Sequence, residues 1–213
     1  MHCLPSLLVL CLFLIGLLAP AATAGDDVDL SASLPFDDNI QLVEGLPNGM
    51  DLWVRPHAMP KGKVMLLLHI ASGSLQEEEN QRGLAHYLEH MAFNGSENFP
   101  AGEVVSFFEK MGLVFGQHQN AFTSFDQTTY MLTLPDTKKE TIEKGLLFFA
   151  DVASRLTLSE EEVEKERGVI LEEARSRSGV QMRMMEKAFP MLMPGSRLSQ
   201  RIPIGDLDVI RAT

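Results

Sequence analysis

The chain has 213 residues, with 18 basic against 29 acidic side chains, a net charge of −11 and two cysteines. That acidity argues against nucleic acid or an anionic membrane surface as the main partner. Cys3 and Cys11 both lie within the first 24 residues, so residues 25–213 offer no disulfide and no thiolate, and a transition-metal site there must use His and carboxylates. The apolar run Leu7–Leu18 followed by Ala22-Thr23-Ala24 reads as a signal peptide over 1–24, cut after Ala24. The run is shorter than the ~20 residues a span needs, so no stable membrane span is expected after cleavage; a retained anchor is the competing reading. Residues 25–38 form a polar lead-in. Ile40–Leu46 and Met50–Arg55 flank Asn48-Gly49, a hairpin signal. Lys63–Ile70 fits a buried strand and Gly83–Phe93 a helix, and Pro100-Ala101 opens a helix that ends at Gly112. Leu113–Thr123 and the alternating Thr128–Leu134 read as strands. Thr137-x-x-Glu140 caps a helix to about Leu156, and Ser159-x-x-Glu162 caps one running to about Phe189. Strands joined by hairpins and mixed with helices predict an α+β fold, an antiparallel or mixed sheet packed against helices.

The chemistry concentrates in His86-Tyr87-Leu88-Glu89-His90. On a helix, His90 falls roughly 40° from His86 and Glu89 roughly 60° to the other side. Two imidazoles one turn apart can grip one metal ion, and the acid beside them can reach a water held by that ion. The pattern arises by accident in about one chain per hundred of this length, and its bland reading is a half-exposed helix with packed or solvated histidines. Further along, Glu166 and Glu173 both fall on the apolar stripe marked by Val163, Val169 and Ile170, whereas Glu172 points away. Unpaired carboxylates are costly to bury, so this face asks for cations or donors. A zinc site of His86, His90 and one of these two Glu would answer that and leave a fourth position open. The bland alternative is an exposed helix with an imperfect stripe.

Three segments follow one another in order: Gly83 to Gly95, Asn120 to Tyr130 around Asp126, and Glu166 to Glu173. Together they resemble the pitrilysin/insulysin and mitochondrial-processing-peptidase family, the inverzincins, and look closest to its periplasmic bacterial zinc-protease branch. Arg201-Ile-Pro-Ile-Gly205 also resembles a segment of that family. The resemblance implies a metal-bearing peptidase domain over 39–213. It implies Zn2+ held by His86, His90 and Glu173, with Glu89 as general base activating a zinc-bound water. Glu166 would support a ligating imidazole, and Asn120 and Ala121 would hold a peptide substrate on an edge strand by main-chain hydrogen bonds. The implied function is a zinc-dependent metalloendopeptidase acting on peptides or unfolded segments, exported to the periplasm or outside the cell. The alternative is a non-catalytic member that binds peptides or a partner; a purely structural zinc site would leave Glu89 without a task. Family members also carry a related C-terminal half, so a homologous C-terminal domain or partner subunit is expected, and the chain ending at Thr213 reads as a truncated piece. His57, His69 and His118 read as packed or surface residues, and the methionines from Met182 to Met193 as adaptable packing.

Overall fold

The short apolar run Val64–Ile70 and the alternating Thr128–Leu134 build the sheet on which the site rests. The structure, a computed structural model, describes residues 36–114 and 116–213. The signal-peptide reading and most of the polar lead-in therefore lie outside the described residues. The chain divides into two compact units, one ending at His57 and the other beginning at Ala58.

In the first unit, β1 (Gln41–Val43) pairs antiparallel with β2 (Leu52–Val54), Gln41 opposite Val54. The turn is tightened by Gly49, at φ 80°, whose N–H donates to Leu46 O at 2.7 Å. The expected hairpin forms with a shorter ladder and a longer loop than its Asn-Gly pair suggests.

In the second unit, β3 (Val64–Ile70), β4 (Gln119–Thr123) and β5 (Thr128–Leu134) form an antiparallel sheet in the order β3-β5-β4. Leu66 faces Leu132 and Leu68 faces Tyr130, so the even-numbered positions of β3 and β5 share one face. Onto that face pack α1 (Leu84–Met91), α2 (Glu103–Lys110) and α3 (Lys139–Ser154). Phe99, Phe108, Phe148, Leu132 and Leu134 form the centre of this core. Gly145 lets α3 lie close to the sheet, since a methyl there would stand 2.7 Å from Leu66 Cδ1. The observed mixture is the α+β architecture expected.

Three boundaries differ from expectation. The strand predicted from Leu113 begins only at Gln119, because Gly116 at φ 80° turns the chain and His118 N bonds back to Val114 O. Thr137 does not cap α3; Asp136 accepts the N–H of Lys138 instead, and the helix starts at Lys139. The long final helix is two, α4 (Glu160–Arg177) and α5 (Val180–Leu192), broken where Gly179 turns extended. Ser159 does cap α4, accepting from Glu162 N. The chain then passes through a 3-10 turn at Arg197–Gln200 and ends in α6 (Leu207–Ala212). A second, smaller core joins α1, α4 and α6 through Tyr87, Met91, Ile170 and Ile210.

Candidate active site

Helical spacing places His86 and His90 on one face of α1, with ring centroids 4.6 Å apart. Across from them stands α4, held to α1 by the Tyr87 hydroxyl, which donates to Val163 O, and by apolar contact through Ile170. Glu173 projects from α4 so that its Oε2 lies 3.6 Å from His86 Nε2 and 3.3 Å from His90 Nε2. One donor atom from each of these three side chains falls within 4.8 Å of the others, the only such group of His, Cys, Asp and Glu among the described residues. Glu173 Oε2 is buried without a hydrogen-bond partner. Its other oxygen is taken by Arg177, at 2.5 Å. A buried carboxylate oxygen left unpaired between two imidazole nitrogens is costly on its own, and a divalent cation at that point removes the cost. The N, N, O donor set suits zinc. The residues fit the metal.

Glu166 lies one layer out. Its Oε1 is 2.7 Å from His90 Nδ1, and its Oε2 accepts from Asn94 Nδ2 at 2.6 Å. This fixes the His90 ring with Nε2 turned toward Glu173. Burial pulls the His90 pKa down, but the Glu166 carboxylate outweighs it and the net shift is upward. The reverse holds at Glu166, kept below its ordinary value by the His90 hydrogen bond. His86 has no such partner; burial, then the neighbouring His90, push it below its ordinary value, so it is neutral and ready to donate a lone pair. Glu172 faces solvent, 67% exposed, as its position on the helix predicts. Val169, expected on the inward stripe, is exposed beside Glu173 in a shallow groove, while Ile170 alone of that stripe is fully buried.

Glu89 sits beside the imidazoles, mostly buried, and burial raises its pKa above the ordinary glutamate value. The Thr123 hydroxyl donates to its Oε2 at 2.5 Å. Thr123 belongs to β4, the edge of the sheet among the described residues, so that edge passes directly by Glu89. Ser124 N bonds Gln127 O, and Thr133 N bonds His118 O. Even-numbered residues of β4 therefore face β5 in the ladder, and Ala121 turns its main-chain groups to the free edge. The Ala121 N–H is satisfied by the Asn120 side-chain oxygen, 2.9 Å away. Asn120 and Ala121 thus form an edge whose outward donor is covered by a movable side chain.

The histidines set aside in the sequence are engaged elsewhere. His69 contacts Thr129 across the sheet and His118 accepts from Val114 N. The methionines of α5 are less packed than expected: Met184 and Met191 are 66% and 81% exposed. Sequence reasoning missed Thr123, Asn94 and Arg177. Arg177 stands four residues beyond Glu173, on the same side of α4, and Asn94 stands four residues beyond His90 in the turn that follows α1. Thr123 shares a strand face with Ala121, and only tertiary structure brings it to Glu89.

An acid beside two histidines on one helix, faced by a carboxylate from a second, is an arrangement of the kind metallohydrolases use. Residues 53–194 match the sequence profile of insulinase, peptidase family M16, and the chain belongs to that family. Its relatives include the probable zinc protease PqqL of Escherichia coli, 41% identical over 182 residues, which cover 85% of this chain and 19% of that protein. The PqqL of Haemophilus influenzae is 38% identical over 179 residues, 84% of this chain and 19% of that protein. The solved first half of the periplasmic protease PqqL from Escherichia coli superposes with a TM-score of 0.79 at 41% identity, over 84% of this chain and 38% of that one. The chain thus spans about a fifth of the length of the curated relatives it matches. The family is zinc-dependent and carries protease function.

Proposed function

We propose that this chain is the metal-bearing domain of an exported zinc metalloendopeptidase. The observation that carries the reading is the buried, unpartnered Glu173 Oε2 aimed at the Nε2 atoms of His86 and His90. His86, His90 and Glu173 would hold Zn2+. When bound, the ion lowers the pKa of a coordinated water toward ~7 and polarises a carbonyl.

The chain's own residues supply the remainder. Glu166 fixes the tautomer and direction of the His90 ring. Arg177 occupies Glu173 Oε1 and leaves Oε2 as the donor. Glu89, with its raised pKa, takes a proton from the attacking water at Oε1 or Oε2 and returns it to the leaving amine nitrogen. Thr123 holds that carboxylate in place. A peptide adds as a strand along β4: the Asn120 side chain swings away, and Ala121 N–H donates to a substrate carbonyl. The substrate must be extended to do this, which favours peptides and unfolded segments.

A homologous second half, within a longer chain or as a separate subunit, would complete the enzyme, and export to the periplasm matches the description of the Escherichia coli relative. No helix among the described residues is long and apolar enough to cross a membrane. The test is cleavage of an unstructured reporter peptide by the purified protein. Chelation should abolish cleavage, added zinc restore it, and Glu89→Gln remove it while zinc is retained. Zinc and peptide binding without cleavage in the unsubstituted protein would favour the non-catalytic, peptide-binding alternative instead.

A further inference from the structure

The segment after α5 does more than close the domain. Arg201 is 2% exposed, and its guanidinium donates to Glu77 O, Gln200 O and the Glu79 carboxylate. Its own carbonyl accepts from Ser74 Oγ at 2.5 Å, and Arg197 also donates to Glu77 O. The side chain of Glu77, itself buried, accepts from Gly83 N at 2.9 Å and Ala85 N at 2.8 Å. These are the otherwise unpaired donors at the start of α1, where Gly83 has no side chain to cap them. His86 is the next residue.

The same segment grips α1 at two further points. Gly205 lies against Gly83 so closely that a methyl at 205 would stand 2.3 Å from Gly83 Cα. Ile210, fully buried, packs against Tyr87 and Met91 of α1 and against Ile170 of α4. Those contacts adjoin His86 and His90 on one helix and lie one turn before Glu173 on the other. Arg167 of α4 donates to the carbonyls of Ile210 and Thr213, which ties α6 to the second helix as well.

We propose that residues 197–210, acting through Glu77, form a latch that sets the position of α1 against α4, and that Glu77, Arg201 and Gly205 are positioning residues for the His86–His90–Glu173 centre. The inference rests on the ligand reading above. It predicts that the latch tunes metal affinity beyond its share in holding the fold. Side chains one layer outside a metal site commonly change affinity by about 10- to 100-fold.

The experiment measures zinc affinity of the whole chain by competition with a chromogenic chelator, alongside urea unfolding of the metal-free protein. Glu77→Gln, Arg201→Met and Gly205→Ala should each weaken zinc binding by about tenfold or more while unfolding remains cooperative. Phe108→Leu, in the other core, is the control. It should lower stability and leave zinc affinity within about twofold of the unsubstituted chain, because its site lies outside the latch. Where a buried variant fails to fold, Arg197→Gln, at an exposed residue, carries the same measurement with a smaller expected loss of about threefold. Latch variants that fold and keep wild-type affinity overturn the latch alone, as does a Phe108→Leu protein that loses affinity as much as they do. An unsubstituted chain that binds no zinc overturns the ligand reading and the latch together.

Discussion

Replacing Glu173 by Ala removes the one carboxylate oxygen that faces both imidazoles. No neighbour can take its place: Glu172 points to solvent, and both oxygens of Glu166 are engaged by His90 and Asn94. Loss of a ligand should exceed the ~10- to 100-fold cost of losing an outer contact, so ~100-fold is a lower bound. At free zinc ~1,000 times the wild-type Kd, binding stabilises the fold by ~4.1 kcal/mol; with Kd weakened ~100-fold the same zinc gives ~1.4 kcal/mol. For a domain of this size each kcal/mol moves Tm by ~2–4 °C, so a zinc-induced rise of ~8–16 °C falls to ~3–6 °C. The metal-free proteins should behave differently. Glu173 Oε2 has no hydrogen-bond partner there, and its ion pairs with Arg177 and with His90 at 3.3 Å are partly exposed and worth no more than ~1 kcal/mol each, so Glu173→Ala changes metal-free stability little. Calorimetric scans in zinc buffer and in chelator measure both. A variant whose zinc-induced rise equals the wild type's would refute the assignment of Glu173, and one that falls apart without zinc would refute the account of its unpaired oxygen.

Glu89→Gln should bind zinc at one ion per chain by elemental analysis and show no peptide cleavage. Thr123→Val removes one hydrogen bond to a charged acceptor, ~1.5–3 kcal/mol, and should lower kcat/KM by ~10- to 150-fold with zinc content unchanged, while Thr123→Ser recovers most of the activity. Zinc binding near pH 6 should release protons, chiefly from His90, whose raised pKa keeps it charged in the metal-free chain; calorimetry in buffers of different ionisation enthalpy counts them, and Glu166→Gln should reduce the number. Asp151, fully buried, accepts from Ser96 Oγ, Asn98 N, Asn98 Nδ2 and Arg155. Burial alone would raise its pKa, but those donors hold it below the ordinary carboxylate value. Its stabilisation is therefore present above ~pH 4 and lost as pH falls through the lower folded value; Asp151→Ala should cost more than ~3 kcal/mol near neutral pH by urea unfolding and flatten the acid limb of the stability curve.

What could be read from the sequence was whatever local periodicity determines. His86, Glu89 and His90 share one helix, and so do Glu166, Glu172 and Glu173, so their relative directions follow from residue spacing alone. Thr128–Leu134 was legible as a strand for the same reason, its alternation matching the pleat. The errors fall where a local signal met a competing one. Thr137 offered a capping hydroxyl, but Asp136 reached the first free N–H instead. The apolar content of Leu113–Val114 suggested a strand, and Gly116 turned the chain before pairing could begin. Val169 matched the helical stripe, yet the contact with α6 is made at Ile170 and Val169 is left exposed. Thr123 and Glu77 lay beyond reach of any local pattern, and Arg201 was marked only by the resemblance of Arg201–Gly205 to a family segment, without a role. Their partners are Glu89, the start of α1 and Glu77, and the pairings to Glu89 and Glu77 span 34 and 124 residues.

The charges of the site explain why these distant pairings matter. Glu89, Glu166 and Glu173 bring three carboxylates around His86 and His90, while the Arg177 guanidinium is the one fixed cation paired with them among the described residues. His86 is held neutral by burial, so two negative charges lack compensation in a partly desolvated place. A proton on His90 supplies one positive charge. A divalent ion bound at the Nε2 atoms and Glu173 Oε2 supplies both and makes that proton unnecessary. Such repulsion acts between α1 and α4, and it is opposed by the Glu166 contacts to His90 and Asn94 together with contacts that carry no charge: the Tyr87 hydroxyl on Val163 O, and Ile210 against Tyr87, Met91 and Ile170. The acidic excess at the site is thus of the sign a divalent cation removes, and the Glu166 bridge and the apolar second core hold α1 and α4 in place against it.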